Sequence, residues 1–322
     1  MNFKNIVVAG GGILGSQIAF QSAYCGFNVT ILIRKEDSID DLKNKLKKLY
    51  VIYVDTINHM DTIKDKKSSD WAKGIAGDNF NKDECLNKVK RIFENIKIDI
   101  DRERALKDAD LLIESITENF DIKATFYKEV STFLPEKTII VTNSSTLLPS
   151  KLAKYTGRPN KYLSLHFANS IWKNNIAEVM SQKETDSECF NDVIGFAEAI
   201  NMIPLVAKEE KSGYILNSLL VPFLLSAMDL LANGISDPET IDKAWTLGTG
   251  APKGPFQIID TVGLETAKNI VEQYQKVPDL FDPLLKKMML PYNYDGMLDI
   301  LNKYISEGKT GVSVGEGFYK YK

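Results

Sequence analysis

The stretch Asn5-Ile6-Val7-Val8-Ala9-Gly10-Gly11-Gly12-Ile13-Leu14-Gly15-Ser16 decides the fold. Its first five residues are rich in β-branched side chains and read as a strand. The glycines make a turn. Ser16 to Cys25 carries helical spacing, and Gly26 stops it. Phe27 to Ile33 is a second strand-like run. Strand, turn, helix and strand make a βαβ unit, so the two strands are expected to be parallel.

Further strand-like runs follow at Leu111 to Glu114, Thr138 to Thr142, Tyr162 to His166, Ala177 to Met180 and Ile203 to Ala207. Helical patterns separate several of them, as at Ile122 to Leu134 and Ser187 to Ile200. Alternation of this kind predicts an α/β chain with a Rossmann-type, mostly parallel sheet. Residues 36–108 are lysine-rich and helical in pattern, with a polar break from Lys64 to Asp83, and read as a helical insertion. After about residue 208 the pattern is helical only. The expected organisation is a dinucleotide-binding domain over 1–208 and an all-helical C-terminal domain over 209–322, parted between Lys208 and Gly213.

Gly10, Gly12 and Gly15 fit G-x-G-x-x-G after a strand and at the start of a helix. The first glycine permits the tight turn, the second lets a pyrophosphate approach the backbone, and the third lets helix and strand pack closely. The helix start offers N–H groups and a positive dipole end for phosphates. Gly10, Gly12, Ile13, Leu14 and Gly15 are therefore the candidate phosphate-turn residues. At the end of the second strand an NAD site usually offers Asp or Glu to the ribose. Here Ile33 stands there, followed by Arg34 and Lys35. A guanidinium meets a 2′-phosphate with paired charged hydrogen bonds. The expected cofactor is NAD(P), with NADP(H) favoured.

The 322 residues hold 40 basic and 43 acidic side chains, 44% hydrophobic and 26% charged residues. That is an ordinary globular composition, near two domains in length. The slight acidic excess argues against a nucleic-acid binder. Cys25, Cys85 and Cys189 are widely spaced, odd in number and form no CxxC pair, which suggests a reduced, intracellular protein, taken as cytoplasmic. No metal site is expected. The most apolar stretch, Tyr214 to Leu231, contains Asn217, Ser218, Pro222, Ser226 and Asp229 and reads as a buried helix rather than a membrane span.

Only two histidines exist. His59 lies among polar residues and reads as a surface residue. His166 ends an apolar strand run, where catalysis sits in such sheets. On position alone, His166 would still read as a core histidine, Glu178 as a strand-edge carboxylate, Ser145 as a helix cap, Asn217 as a polar residue on a core helix and Lys123 as a solvated helix residue.

From Asp110 onward the chain resembles the 3-hydroxyacyl-CoA dehydrogenase family. Asp110-Leu111-Leu112-Ile113-Glu114, then Thr117-Glu118-Asn119, is similar to its D-L-V-I-E…x-E-N segment. Asn143-Ser144-Ser145-Thr146 resembles N-T-S-S, and His166-Phe167-Ala168-Asn169 resembles H-F-F-N. Glu178-Val179 follows the histidine by 12 residues, as in that family. Ser212-Gly213-Tyr214-Ile215-Leu216-Asn217 resembles P-G-F-x-x-N. Gly254-Pro255-Phe256 with Asp260 and Val262-Gly263-Leu264, and the closing Gly315-Glu316-Gly317-Phe318-Tyr319, also match. The resemblance spans nearly the whole chain except 36–108. Departures are Ser170 in place of a proline, Ile171 to Asn175 in place of V-P-V-M-K, Ser218 in place of an arginine, and Ser313-Val314 in place of Lys-Thr.

The resemblance implies an oxidoreductase of fatty-acid metabolism that interconverts a 3-hydroxyacyl-CoA and a 3-oxoacyl-CoA. His166 would be the general acid/base, held by Glu178, with Ser145 and Asn217 donating to the reacting oxygens. Glu118, Lys123 and Asn169 would line the cofactor. Lys43, Lys45, Lys47 and Lys48 face either CoA phosphates or solvent. The implied partners are a small-molecule substrate and a second copy bound through the C-terminal domain, with no nucleic acid and no membrane. Leu147-Leu148-Pro149-Ser150-Lys151-Leu152 points sideways, to relatives that act on free hydroxy acids, of the L-gulonate 3-dehydrogenase and carnitine dehydrogenase types. A non-catalytic dinucleotide-binding relative is the alternative of another class.

Overall fold

The computed structural model describes residues 3–68, 70–275 and 292–321. The chain divides into two compact units, Met1–Ile215 and Leu216–Lys322, parted two residues beyond Gly213. The first unit holds an eight-stranded sheet: β1 (Asn5–Ala9), β2 (Asn28–Leu32), β3 (Ile96–Asp99), β4 (Leu111–Glu114), β5 (Ile139–Thr142), β6 (Tyr162–Phe167), β7 (Ile176–Met180) and β8 (Ile203–Ala207). Its order is β3-β2-β1-β4-β5-β6-β7-β8. Every neighbouring pair is parallel except β6 and β7. The unit's helices are α1 (Ile13–Tyr24), α2 (Ile39–Met60), α3 (Lys82–Asn95), α4 (Arg102–Leu106), α5 (Phe120–Val130), α6 (Pro149–Leu152) and α7 (Ser187–Ala199).

The central strands are hydrophobic throughout because helices cover both faces of a parallel sheet. Ile6, Val8, Ile31, Leu111 and Ile113 pack on one side with α1 and the insertion. Val7, Ala9, Leu112 and Ile140 pack on the other with Tyr127 and Val130 of α5. Asp110, which opens the D-L-L-I-E run, has a structural task. Its carboxylate accepts the backbone N–H groups of Lys4 and Asn5 at 2.8 and 2.9 Å and pairs with Lys137. Burial works to raise its pKa, but Lys137 and those two N–H groups outweigh it, so the group sits below the usual carboxylate range.

The insertion departs from a purely helical excursion. α2 and α3 bury Leu42, Leu46, Leu49, Tyr53, Val89 and Ile92 along one stripe. After α3, however, Ile96-Lys97-Ile98-Asp99 pairs with β2 and forms the sheet's edge. Four alternating residues beside a lysine-rich helix give too short a period-2 signal to separate from the helical pattern. The polar break between α2 and α3 is irregular but anchored, with Trp71, Ala72 and Ile75 in the core.

The second unit contains α8 (Leu216–Ala232), α9 (Pro238–Thr249), α10 (Pro255–Val262), α11 (Leu264–Gln275) and α12 (Tyr294–Ser306). Two buried carboxylates organise its closing segment. Asp260 accepts the N–H groups of Phe318 and Tyr319 at 2.8 and 2.9 Å and the Tyr321 hydroxyl at 2.8 Å. Asp242 accepts the N–H groups of Phe256 and Gln257 at the start of α10, and the Tyr319 hydroxyl. The G-P-F and G-x-G-F-Y motifs therefore read as the donors that satisfy two buried acids.

Candidate active site

β1, β2, β4, β5 and β6 all end at one edge of the sheet, and the chemistry-bearing segments follow those ends. A cavity of about 860 Å³ opens there, lined by Gly10, Gly11 and Gly12 after β1, by Ile33, Arg34 and Lys35 after β2, and by Ser115, Ile116 and Thr117 after β4. Gly10 has φ +112°, and a Cβ on it would lie 2.3 Å from the Ser115 carbonyl oxygen. A Cβ on Gly15 would lie 2.2 Å from the Gly10 carbonyl oxygen, whereas one on Gly12 would meet nothing within 4 Å. The first and third glycines are thus packing requirements, and the second leaves room above the turn. The start of α1 has no side-chain cap and no acid in its first turn. An open glycine facing an uncapped helix start fits a diphosphate.

The sequence reading missed part of this cavity's charge. Ser38, Asp41 and Lys45, at and just after the start of α2, line it, as does Arg102. Lys45 donates to the Gly11 carbonyl at 3.3 Å and pairs with Asp41 at 2.5 Å. Arg102 pairs with Glu129 at 2.9 Å. The signal was present: Lys45 lies one helical turn from Asp41, but only the fold brings that turn to Gly11. Lys43 pairs with Asp40, and Lys47 and Lys48 lie outside the cavity's lining.

His166 and Glu178 face each other directly across the antiparallel β6–β7 pair. The His166 Nδ1 lies 2.9 Å from Glu178 Oε2, and Nε2 lies 3.1 Å from Ser145 Oγ. Histidine and glutamate are both buried. Ser145 follows β5, in a turn fixed from several sides. Asn143 accepts the Phe167 N–H at 3.0 Å, joining the ends of β5 and β6. Glu118 accepts the Ser144 hydroxyl at 2.6 Å and the Thr146 N–H and hydroxyl at 2.9 and 2.8 Å. Burial pushes the Glu118 carboxyl up, but these donors and the nearby Lys123 ammonium overcome it and hold it below the usual range.

Lys123 is not the solvated helix residue that its sequence context suggests. It is 1% exposed and pairs with Glu114 at 2.5 Å and Glu118 at 3.4 Å. Glu114 also accepts the Tyr127 and Thr142 hydroxyls, both at 2.8 Å. Lys123 thus lies beneath the Ser145 turn and outside the cavity's lining. Asn169 is exposed, and its carbonyl accepts from Asn174. Asn217 is the second residue of α8, in the second unit. His59 is exposed on α2.

Family models for the NAD binding domain and the C-terminal domain of 3-hydroxyacyl-CoA dehydrogenase match residues 5–210 and 213–321. The chain belongs to this family. Its members are NAD-dependent oxidoreductases acting on CH–OH groups, and the glycine-turn unit binds a nicotinamide dinucleotide. The chain is 32% identical over 319 residues to the human mitochondrial hydroxyacyl-coenzyme A dehydrogenase, covering 99% of this chain and 91% of that one. It is 29% identical to a probable 3-hydroxybutyryl-CoA dehydrogenase of Bacillus subtilis, covering 100% and 99%. A solved diketoreductase, described by its substrate-directed dual catalysis of dicarbonyl compounds, is 42% identical, with a TM-score of 0.81 and full coverage of both chains. No described helix is long and apolar enough to cross a membrane.

The buried Glu114–Lys123 pair yields a stability test. Lys123→Met leaves a buried carboxylate without its cation and is expected to cost about 3–5 kcal/mol in urea unfolding. Adding Glu114→Gln to that variant should recover part of the loss, because the pair is coupled. Additive losses would contradict this account.

Proposed function

We propose that the protein interconverts a 3-hydroxyacyl-CoA and a 3-oxoacyl-CoA, of the 3-hydroxybutyryl-CoA type, with His166 as general acid/base. The observation that carries this reading is the continuous Ser145–His166–Glu178 contact chain at the sheet edge. When bound, a nicotinamide dinucleotide supplies the hydride donor or acceptor. In the oxidative direction His166 Nε2 takes the proton of the substrate's 3-hydroxyl, and in the reductive direction it returns one. Glu178 fixes the imidazole through Nδ1 and balances its charge when protonated. Ser145 donates to the reacting oxygen, and Asn217 is assigned the same task from α8. Glu118 and Asn169 are assigned to the cofactor, with Lys123 acting on it through Glu118.

The diketoreductase likeness favours a second reading, in which the carbonyl substrate is a free dicarbonyl compound rather than a CoA thioester. The Leu147–Leu152 segment points the same way. Both reactions use the same proton relay, so the substrate decides between them. Steady-state kinetics with acetoacetyl-CoA, acetoacetate and a free 1,3-diketo ester should give acetoacetyl-CoA the highest kcat/KM. His166→Ala should lower turnover roughly 100-fold or more while leaving dinucleotide affinity nearly unchanged. Glu178→Gln should also lower turnover, and the two losses should not add. Near-normal turnover in His166→Ala would remove the assignment, and no turnover by the unmutated chain would favour a non-catalytic binding role.

We also propose that NADP(H) is preferred. Ile33 is buried and carries no group for the ribose hydroxyls, while Arg34 and Lys35 are exposed on the cavity's rim. A hydrogen bond to a charged group is worth about 1.5–3 kcal/mol, or roughly 10- to 100-fold. NADPH should therefore exceed NADH by that factor in kcat/KM, less so at high salt. Arg34→Ala should erase most of the preference and spare NADH use. Equal efficiency with both cofactors in the unmutated protein would refute it.

A homodimer through the C-terminal unit completes the proposal. Leu219 and Leu247 are 70% and 84% exposed, and Leu230, Ile235 and Trp245 are also exposed. Apolar groups left open in this number usually mark an interface. Sedimentation at micromolar concentration should give twice the chain mass, and a monomer throughout would exclude it.

A further inference from the structure

Three consecutive residues at the end of the first unit each engage one member of the Ser145–His166–Glu178 chain. The Gly213 N–H donates to the Ser145 carbonyl at 3.1 Å. The Tyr214 ring stacks on the His166 imidazole, with centroids 4.7 Å apart and planes 11° from parallel. The Tyr214 hydroxyl donates to the Ser144 carbonyl at 2.9 Å. The Ile215 N–H donates to Glu178 Oε1 at 2.9 Å, on the oxygen that does not face His166.

The backbone is bent to achieve this. Gly213 and Tyr214 both lie in the left-handed region, with φ +81° and +51°. Glycine takes that conformation freely, whereas tyrosine does so only where its surroundings over-determine it. Here a buried ring, a hydroxyl bond and a following N–H bond hold Tyr214. Burial also pushes its phenol upward, which keeps the hydroxyl protonated and able to donate.

We propose that Gly213-Tyr214-Ile215 is a clasp that positions the catalytic chain, with Tyr214 as its central positioning residue. The imidazole has one edge on Ser145 and the other on Glu178, and these bonds alone leave it free to tilt about the line between them. A ring stacked on its face removes that tilt. The tyrosine hydroxyl ties the same clasp to the turn that carries Ser145. Tyrosine stands here where the resembling motif has phenylalanine, and its hydroxyl makes a link that a phenylalanine cannot. The clasp rests on the assignment of His166 as acid/base.

Two variants and two readouts test it. Tyr214→Leu removes ring and hydroxyl, and Tyr214→Phe removes only the hydroxyl. Proton NMR can follow the His166 Nδ1–H directly, because the chain has only one other histidine, the exposed His59, and His166→Gln identifies the signal. Tyr214→Leu should lose or broaden that resonance and lower kcat roughly 10- to 100-fold, with KM for the dinucleotide unchanged. Tyr214→Phe should keep the resonance and lower kcat about 2- to 10-fold. An unaltered resonance or an unaltered kcat in Tyr214→Leu would overturn the proposal. If Tyr214→Leu fails to bind dinucleotide, Tyr214→Phe decides, and its unchanged kcat would overturn the clasp. The NMR readout needs no substrate, so a failure to find turnover in the unmutated protein counts against the functional reading and leaves the clasp separately testable.

Discussion

One antiparallel pairing in an otherwise parallel sheet sets the geometry of the candidate site. Because β7 runs back along β6, His166 and Glu178 become opposed residues, and opposed side chains on one face lie within contact distance. A slip of one residue would send the two side chains to different faces. The pairing is held on both strands. Asn143 fixes the end of β6 through the Phe167 N–H, and Ile215 holds the far oxygen of Glu178. The spacing of 12 residues between histidine and glutamate is thus a hairpin length.

Apart from that pairing stands a buried ionic core that touches neither His166 nor Glu178. Glu114 ends β4 and gathers Lys123, Tyr127 and Thr142. Glu118 then carries the Lys123 charge outward to Ser144 and Thr146. A buried carboxylate with a cation and two hydroxyls is fully satisfied, and such networks specify one geometry rather than add much stability. The geometry specified is that of the turn presenting Ser145. The glycine turn and the Ser145 turn are therefore fixed by different means, steric at Gly10 and Gly15 and electrostatic at Glu114.

Much of this was legible in the sequence, for identifiable reasons. The β1–α1–β2 unit was readable because strand run, glycines and helix lie within one short window. β4 to β7 were readable as short, mostly apolar buried runs, and β8 as an apolar β-branched run although it lies partly exposed at the sheet's edge. β3 was not, since its four residues follow a helix without a turn. Ser145, His166 and Glu178 drew their proposed roles from the family resemblance, because nothing local in the sequence tells a catalytic histidine from a structural one. The burial of Lys123 was not readable, because helix periodicity shows which residues share a face but not what that face meets, and the resemblance placed it at the cofactor rather than under the Ser145 turn. Lys45 reaches Gly11 only through the packing of α2 on α1, 34 positions apart in the chain.

The departures from the family pattern have partners in the structure. Trp172, in the altered loop after His166, packs against Tyr53 of α2, with centroids 5.7 Å apart. Its carbonyl accepts the Gly74 N–H at 3.0 Å, and a Cβ on Gly74 would lie 2.6 Å from the Ile171 carbonyl oxygen. Gln21 and Asn201 both donate to the Gly74 carbonyl, at 2.7 and 3.0 Å. Ser170, with φ +59°, donates its N–H to Gln17. The insertion, which the family model for the NAD binding domain spans, therefore packs against the loop that departs from the V-P-V-M-K segment. The fit is close, since Gly74 admits no side chain against Ile171 and Trp172 packs on the Tyr53 ring. Tyr214 repeats the pattern beside His166, where a hydroxyl that the P-G-F motif lacks meets the Ser144 carbonyl. Ser145, His166 and Glu178 keep the residue types of the motifs they resemble, and the departures lie in the segments that brace them.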